Sequence, residues 1–140
     1  MPEETMYERL DEAESIMKKL VEKYPTKFSN VDCITVSWWS ITNKEKPKSC
    51  RTIAKIMGLK PPVSLITDQR YIVVVYNSDW TQFNPAQKAI VVAHEISHIE
   101  GDGSLSKHDL EDFSSLIKKF GVGYINNTEL PNIVEEDVQW

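Results

Sequence analysis

Two histidines four residues apart, His94 and His98, stand in a largely apolar stretch that opens on Asn84-Pro85. Asn84 is suited to cap a helix, and Pro85 to fill its first position, where no backbone N–H is needed. A helix is therefore predicted from Pro85 to about Glu100, broken by Gly101-Asp102-Gly103. Ile90-Val91-Val92-Ala93 and Ile96 require that helix to be covered by other elements. Residues four apart lie one turn above the other on a single helix face. The chain must thus build its core around a helix that carries two imidazoles side by side.

The other elements follow from periodicity and punctuation. Met6, Leu10, Ala13, Met17, Leu20 and Tyr24 form an apolar stripe, which predicts a helix from Glu3 to Tyr24 ended by Pro25. From Val31 to Trp39 the alternation of Ile34, Val36 and Trp38 with Cys33, Thr35 and Ser37 predicts a strand. Asn43 to Lys48 reads as a polar loop. Ser49 to Met57 reads as a short helix, with Ser49 as N-cap and Gly58 as its stop. After Pro61-Pro62, Val63 to Thr67 and Tyr71 to Tyr76 flank Asp68-Gln69-Arg70 and read as a hairpin. Tyr71 to Tyr76 is the strongest strand signal in the chain. Beyond the motif helix, Ser106-Lys107-His108-Asp109 has capping-box spacing and predicts a further helix to Phe120, stopped by Gly121. The tail 122–140 is interrupted by Pro131, and Ile133, Val134, Val138 and Trp140 are apolar enough to dock on the body.

These elements fit one α+β domain over residues 1–140, with an N-terminal helix and first strand in 1–50 and a docked tail in 122–140. A chain of 140 residues can bury a core of its own without disulfides. Cys33 and Cys50 lack metal-type spacing to each other and read as free thiols. No run of eighteen apolar residues occurs, and the acidic start Met1-Pro-Glu-Glu-Thr lacks a signal-type stretch, so a cytoplasmic protein without a membrane span is expected. Charge is uneven. Lys44, Lys46, Lys48, Arg51, Lys55 and Lys60 face a single acid, Glu45, between Ile41 and Lys60. That stretch lacks interleaved aromatics, and the net charge is −5, so a solvated loop is favoured over a nucleic-acid contact.

All three histidines of the chain, His94, His98 and His108, fall within fifteen residues. His94-Glu95-Ile96-Ser97-His98 is an HExxH motif. Its two imidazoles can reach one zinc ion, and Glu95 can approach a water on that ion without being a ligand. Zinc lowers the pKa of such a water to about 7, and the glutamate can take its proton and later hand it to a leaving amine. A third protein ligand is expected. Gly101 stands three residues after His98, but Ser104 occupies the position where a closely spaced third histidine would be needed. His108 is favoured instead: the Gly101-Asp102-Gly103 break lets the chain turn back, and a helix N-terminus favours the neutral, metal-binding imidazole. Asp109, Glu111 and Asp112 compete for the role. If His108 is the ligand, Asp109 is left to cap the helix or to support that histidine.

At these residues the chain resembles the phage metallopeptidases, small zincins similar to SprT-like and other minimal gluzincin-type domains. The likeness rests on Val91-Val92-Ala93-His94-Glu95-Ile96-Ser97-His98-Ile99, then Gly103, His108-Asp109-Leu110-Glu111-Asp112-Phe113 and Phe120-Gly121. It extends more weakly to Tyr71–Tyr76 and Ala54-Lys55-Ile56, and covers roughly Arg51 to Tyr124. The resemblance implies a zinc peptidase holding one Zn2+ per chain through His94, His98 and His108, with Glu95 as acid/base. It also implies a zincin-like α+β fold, with a small, mostly antiparallel sheet packed on the motif helix and on a following ligand-bearing helix. One departure is Ser97, where members often carry a bulky apolar residue such as leucine.

In such folds an edge strand beside the site can add an extended substrate peptide, and Tyr71 to Tyr76 is the candidate, the alternative being an interior strand. Tyr124 could donate to an oxyanion or simply pack. Two rival functions share these residues. One is a non-catalytic zinc module that binds a protein partner, its fourth position closed by Asp109 or Asp112. The other is a SprT-like protease acting on DNA-bound proteins, for which only the Lys44 to Lys60 stretch speaks. A protein or peptide is the expected partner; oligomeric state does not follow from the sequence.

Overall fold

A computed structural model describes residues 6–42, 53–99, 105 and 131–136. Its centre is a four-stranded mixed sheet of order β1-β2-β4-β3, built from β1 (Met6–Arg9), β2 (Val36–Thr42), β3 (Ala54–Gly58) and β4 (Tyr71–Tyr76). The β1–β2 and β3–β4 pairs are antiparallel and the central β2–β4 pair is parallel. Helices α1 (Asp11–Lys23) and α4 (Pro85–Ile96) pack on each other beside the sheet. Two short helices, α2 (Val63–Thr67) and α3 (Asn77–Trp80), lie on either side of β4 in the chain. The architecture is α+β, and two of its three strand pairings are antiparallel, as expected.

One face of the sheet is dry. Val36 and Trp38 of β2 stand in register with Tyr71 and Val73 of β4, and all four are buried together with Val75. Ala13, Met17 and Leu20 of α1 and Ala89, Ile90, Val92, Ala93 and Ile96 of α4 close over them in one cluster. Period two on the strands and steps of three and four on the helices bring these side chains to a common layer. Trp38 Nε1 donates to Met17 Sδ at 3.2 Å, so even the polar atom of the largest core residue is used. Ile133 joins the same cluster. Its segment is tied to the end of α1, where Tyr24 Oη donates to Ile133 O at 2.9 Å and Lys23 Nζ donates to Val134 O and Glu136 O. Val138 and Trp140 lie outside the described residues.

Several local expectations are corrected by pairing over long sequence distances. The expected helix from Glu3 begins only at Asp11, because Met6–Arg9 pair antiparallel with Trp39–Thr42. Residues 33–35 form a 3-10 turn rather than strand, and Ile34 is exposed; the strand starts at Val36. Asp32 accepts from Ile34 N and fixes that turn. Ala54–Met57, read as helix, are the edge strand β3, whose alternation places Ala54 and Ile56 against the core and leaves Lys55 and Met57 exposed. Val63–Thr67, read as the first arm of a hairpin, are helix α2. The side of β4 that they would need is held by β3, and Thr67 Oγ1 instead bonds back to Val63 O at 2.8 Å. Asp68 then turns the chain with a left-handed φ of 56°. The loop 43–48 lies outside the described residues, and of the basic stretch Lys55 and Lys60 are exposed. No helix among the described residues is long and apolar enough to cross a membrane. Cys33 is a half-buried free thiol, pushed up by burial and by the neighbouring Asp32; Cys50 lies outside the described residues.

A polar clamp joins α1, α3 and α4. Glu12 Oε1 accepts from Lys88 Nζ at 2.8 Å and from Trp80 Nε1 at 2.8 Å, while the Lys88 ammonium sits 5.3 Å from the Trp80 ring centroid. The Lys88 bond, with help from Trp80, holds the Glu12 carboxyl below its ordinary value against a smaller opposing effect of burial. A carboxyl lowered in the folded state adds stability above its unfolded pKa and loses it as pH falls through the folded value. Glu12→Gln is therefore expected to lower the melting temperature modestly at pH 7, since Glu12 is well exposed. The difference from wild type should vanish in acid below the usual carboxylate range. Melting curves from pH 7 down to pH 3 check this, and a gap that persists unchanged at pH 3 contradicts it.

Candidate metal centre

The motif helix α4 is fixed at its start by a reciprocal capping box. Asn84 Oδ1 accepts from Gln87 N at 2.8 Å, and Gln87 Oε1 accepts from Asn84 N at 2.9 Å, with Pro85 at the first position. Asn84→Ala is expected to cost about 1 kcal/mol. Urea denaturation reads this as a lower midpoint at unchanged slope, and an unmoved midpoint would refute the role. The helix then packs against α1 and the sheet, with Ala89 through Ala93, Glu95 and Ile96 buried. It ends at Ile96, four residues before the expected Glu100, which lies outside the described residues. His98 therefore follows the regular helix in a turn.

That turn still keeps the two histidines together. The His94 and His98 ring centroids are 5.5 Å apart and the planes meet at 64°. Both side chains are half-buried, whereas Glu95 between them is only 6% exposed. A zinc ion bound to an imidazole nitrogen lies about 3.2 Å from the ring centroid, because Zn–N is about 2.0–2.1 Å. Two centroids 5.5 Å apart can each lie at that distance from one ion, and they then subtend roughly 120°, near the tetrahedral value. The pair fits a zinc site on this measure. Among the described residues no group of three or more His, Cys, Asp or Glu side chains gathers around an ion-sized point. His108, and its competitors Asp109, Glu111 and Asp112, lie outside the described residues, as does Tyr124.

The sheet end beside the motif is also defined. Ile99, next after His98, bridges to Leu105, and a Cβ built on Gly58 would lie 3.8 Å from Leu105 Cδ1. Leu105, paired with Ile99 at the end of the motif, thus lies alongside the end of β3. Tyr71–Tyr76, the candidate edge strand, is interior: β2 flanks it on one side and β3 on the other. The edge strand on this side of the sheet is β3, and among the described residues nothing pairs with its outer side. Only Lys55 breaks the apolar run from Ile53 to Met57, so the residues carried little period-two signal for it.

In comparison with known proteins, the family described as "Putative phage metallopeptidase" matches residues 5–138. No curated protein and no solved structure matches the chain.

Proposed function

The chain belongs to the phage metallopeptidase family, and from that membership we propose that it is a single-domain, zincin-like zinc peptidase acting on a protein or peptide. The observation that carries the reading is the spacing of the His94 and His98 rings, one in the last turn of a buried helix and the other just past its end, with the buried Glu95 between them in the chain. His94 and His98 would hold the ion, with His108 as third ligand and Asp109 or Asp112 supporting it or replacing it. Zinc, when bound, supplies a Lewis acid that acidifies water to a pKa of about 7 and polarises a carbonyl. The Glu95 carboxylate accepts the proton of the attacking water at one oxygen and returns it to the departing amine nitrogen. Its burial keeps bulk water from competing for that proton.

An extended substrate would add to the outer edge of β3 through backbone hydrogen bonds, which fixes its path independently of most side chains. Tyr124 is the proposed donor to the developing oxyanion.

The test is metal-dependent cleavage of an unfolded protein such as reduced, alkylated casein. Chelation followed by dialysis should abolish cleavage, and stoichiometric zinc should restore it. Full cleavage by the metal-free protein would contradict the proposal.

A further inference from the structure

The end of α4 departs from a regular helix at the residue between the two halves of the metal pair. Ser97 Oγ donates to Ala93 O at 2.6 Å, and Ser97 N donates to the same carbonyl at 3.1 Å. From there the bonding tightens. His98 N bonds to Glu95 O at 3.2 Å and Ile99 N to Ile96 O at 3.2 Å, both three residues back rather than four. A serine hydroxyl that bonds to the carbonyl four residues earlier competes with regular helix bonding and bends a helix. Here that bond spans the turn that separates His94 from His98. In a straight continuation, His98 N would bond to His94 O, and the second imidazole would project at a different angle from the first.

We propose that the Ser97 hydroxyl is a positioning residue for the metal pair. By holding Ala93 O it sets the tightened turn that aims the His98 imidazole at the point His94 reaches. This rests on the zinc reading above. It goes beyond it by assigning a role to a side chain that touches neither metal nor substrate. The hydroxyl acts through backbone, so its loss should change metal geometry more than fold stability. Back-bonding of this kind slightly destabilises a helix, so the metal-free protein should tolerate removal.

The experiment compares wild type, Ser97→Ala and Ser97→Thr in three measurements: zinc affinity by chelator competition, the visible spectrum of the Co2+-loaded protein, and the melting temperature of the metal-free protein. Ser97→Ala should weaken zinc binding about tenfold. It should also shift the cobalt bands and leave the metal-free melting temperature unlowered. Threonine keeps the hydroxyl and should restore affinity and spectrum to wild type. The proposal is overturned if Ser97→Ala keeps wild-type affinity and bands, if threonine behaves as alanine does, or if affinity and metal-free stability fall together. Wild type that takes up neither zinc nor cobalt would defeat the zinc reading itself and leave no pair to position. A wild type that binds normally beside an unaffected Ser97→Ala defeats the Ser97 role alone.

Discussion

Glu95→Gln is expected to reduce peptide hydrolysis by about 10²–10⁴-fold while leaving zinc binding intact. Glu95 is buried within α4, so the near-isosteric amide preserves packing around it. What the amide lacks is a group that can accept a proton from water and release it to an amine. In the proposed site Glu95 is not a ligand, so the ion should stay. Initial rates on a quenched fluorescent peptide, with zinc assayed on the same sample, separate the two effects. Wild-type cleavage by this variant would refute the assignment of the acid/base. Lost zinc would show that Glu95 belongs to the ligand set or to its support.

The largest expected effect on stability is at Trp38. It is 0% exposed, faces α1 through its bond to Met17 Sδ, and stands in register with Val73 of β4. Truncation to alanine removes the largest fully buried side chain from the layer between α1 and the sheet. Such losses cost about 3–5 kcal/mol. Domains of this size are stable by only about 5–15 kcal/mol, so Trp38→Ala should melt far below wild type or fail to fold. Trp38→Phe keeps much of the volume and should recover most of the stability. Denaturant midpoints for the pair measure both, and a loss under about 1 kcal/mol for the alanine variant would contradict the packing described. The helix that carries His94 and leads into His98 closes over the same cluster, so zinc affinity should fall together with stability at this position.

The parts of this fold that the sequence disclosed are those whose signals are local. Asn84, Pro85 and Gln87 sit within one turn, and they define the start of α4 without reference to anything distant. The stripe Ala13, Met17, Leu20 likewise declares which face of α1 is buried. Errors arise where a distant partner overrides a local pattern. Met6 and Leu10 continue the spacing of the helical stripe, yet Met6 pairs with Thr42 across the sheet. Ser49 and Gly58 mimic the two ends of a helix, while β4 recruits the residues before Gly58 as a strand. Val63 to Thr67 are rich in β-branched residues, but the adjoining edge of β4 is already taken, and they coil into α2. In the proposed site, the choice of His94, Glu95 and His98 comes from spacing alone. The Ser97 bond to Ala93 O does not, because a serine at that position is equally consistent with a hydroxyl turned to solvent.

Zinc content per chain, after dialysis at fixed micromolar zinc, tests the central claim most directly when wild type is run beside His94→Ala, His98→Ala and His108→Ala. The account predicts about one zinc ion per chain in wild type and its loss in each single variant. Wild type without zinc, or a His94→Ala or His98→Ala variant that retains it at the wild-type level, would contradict the account. Retention by His108→Ala alone would move the third ligand to one of the neighbouring carboxylates.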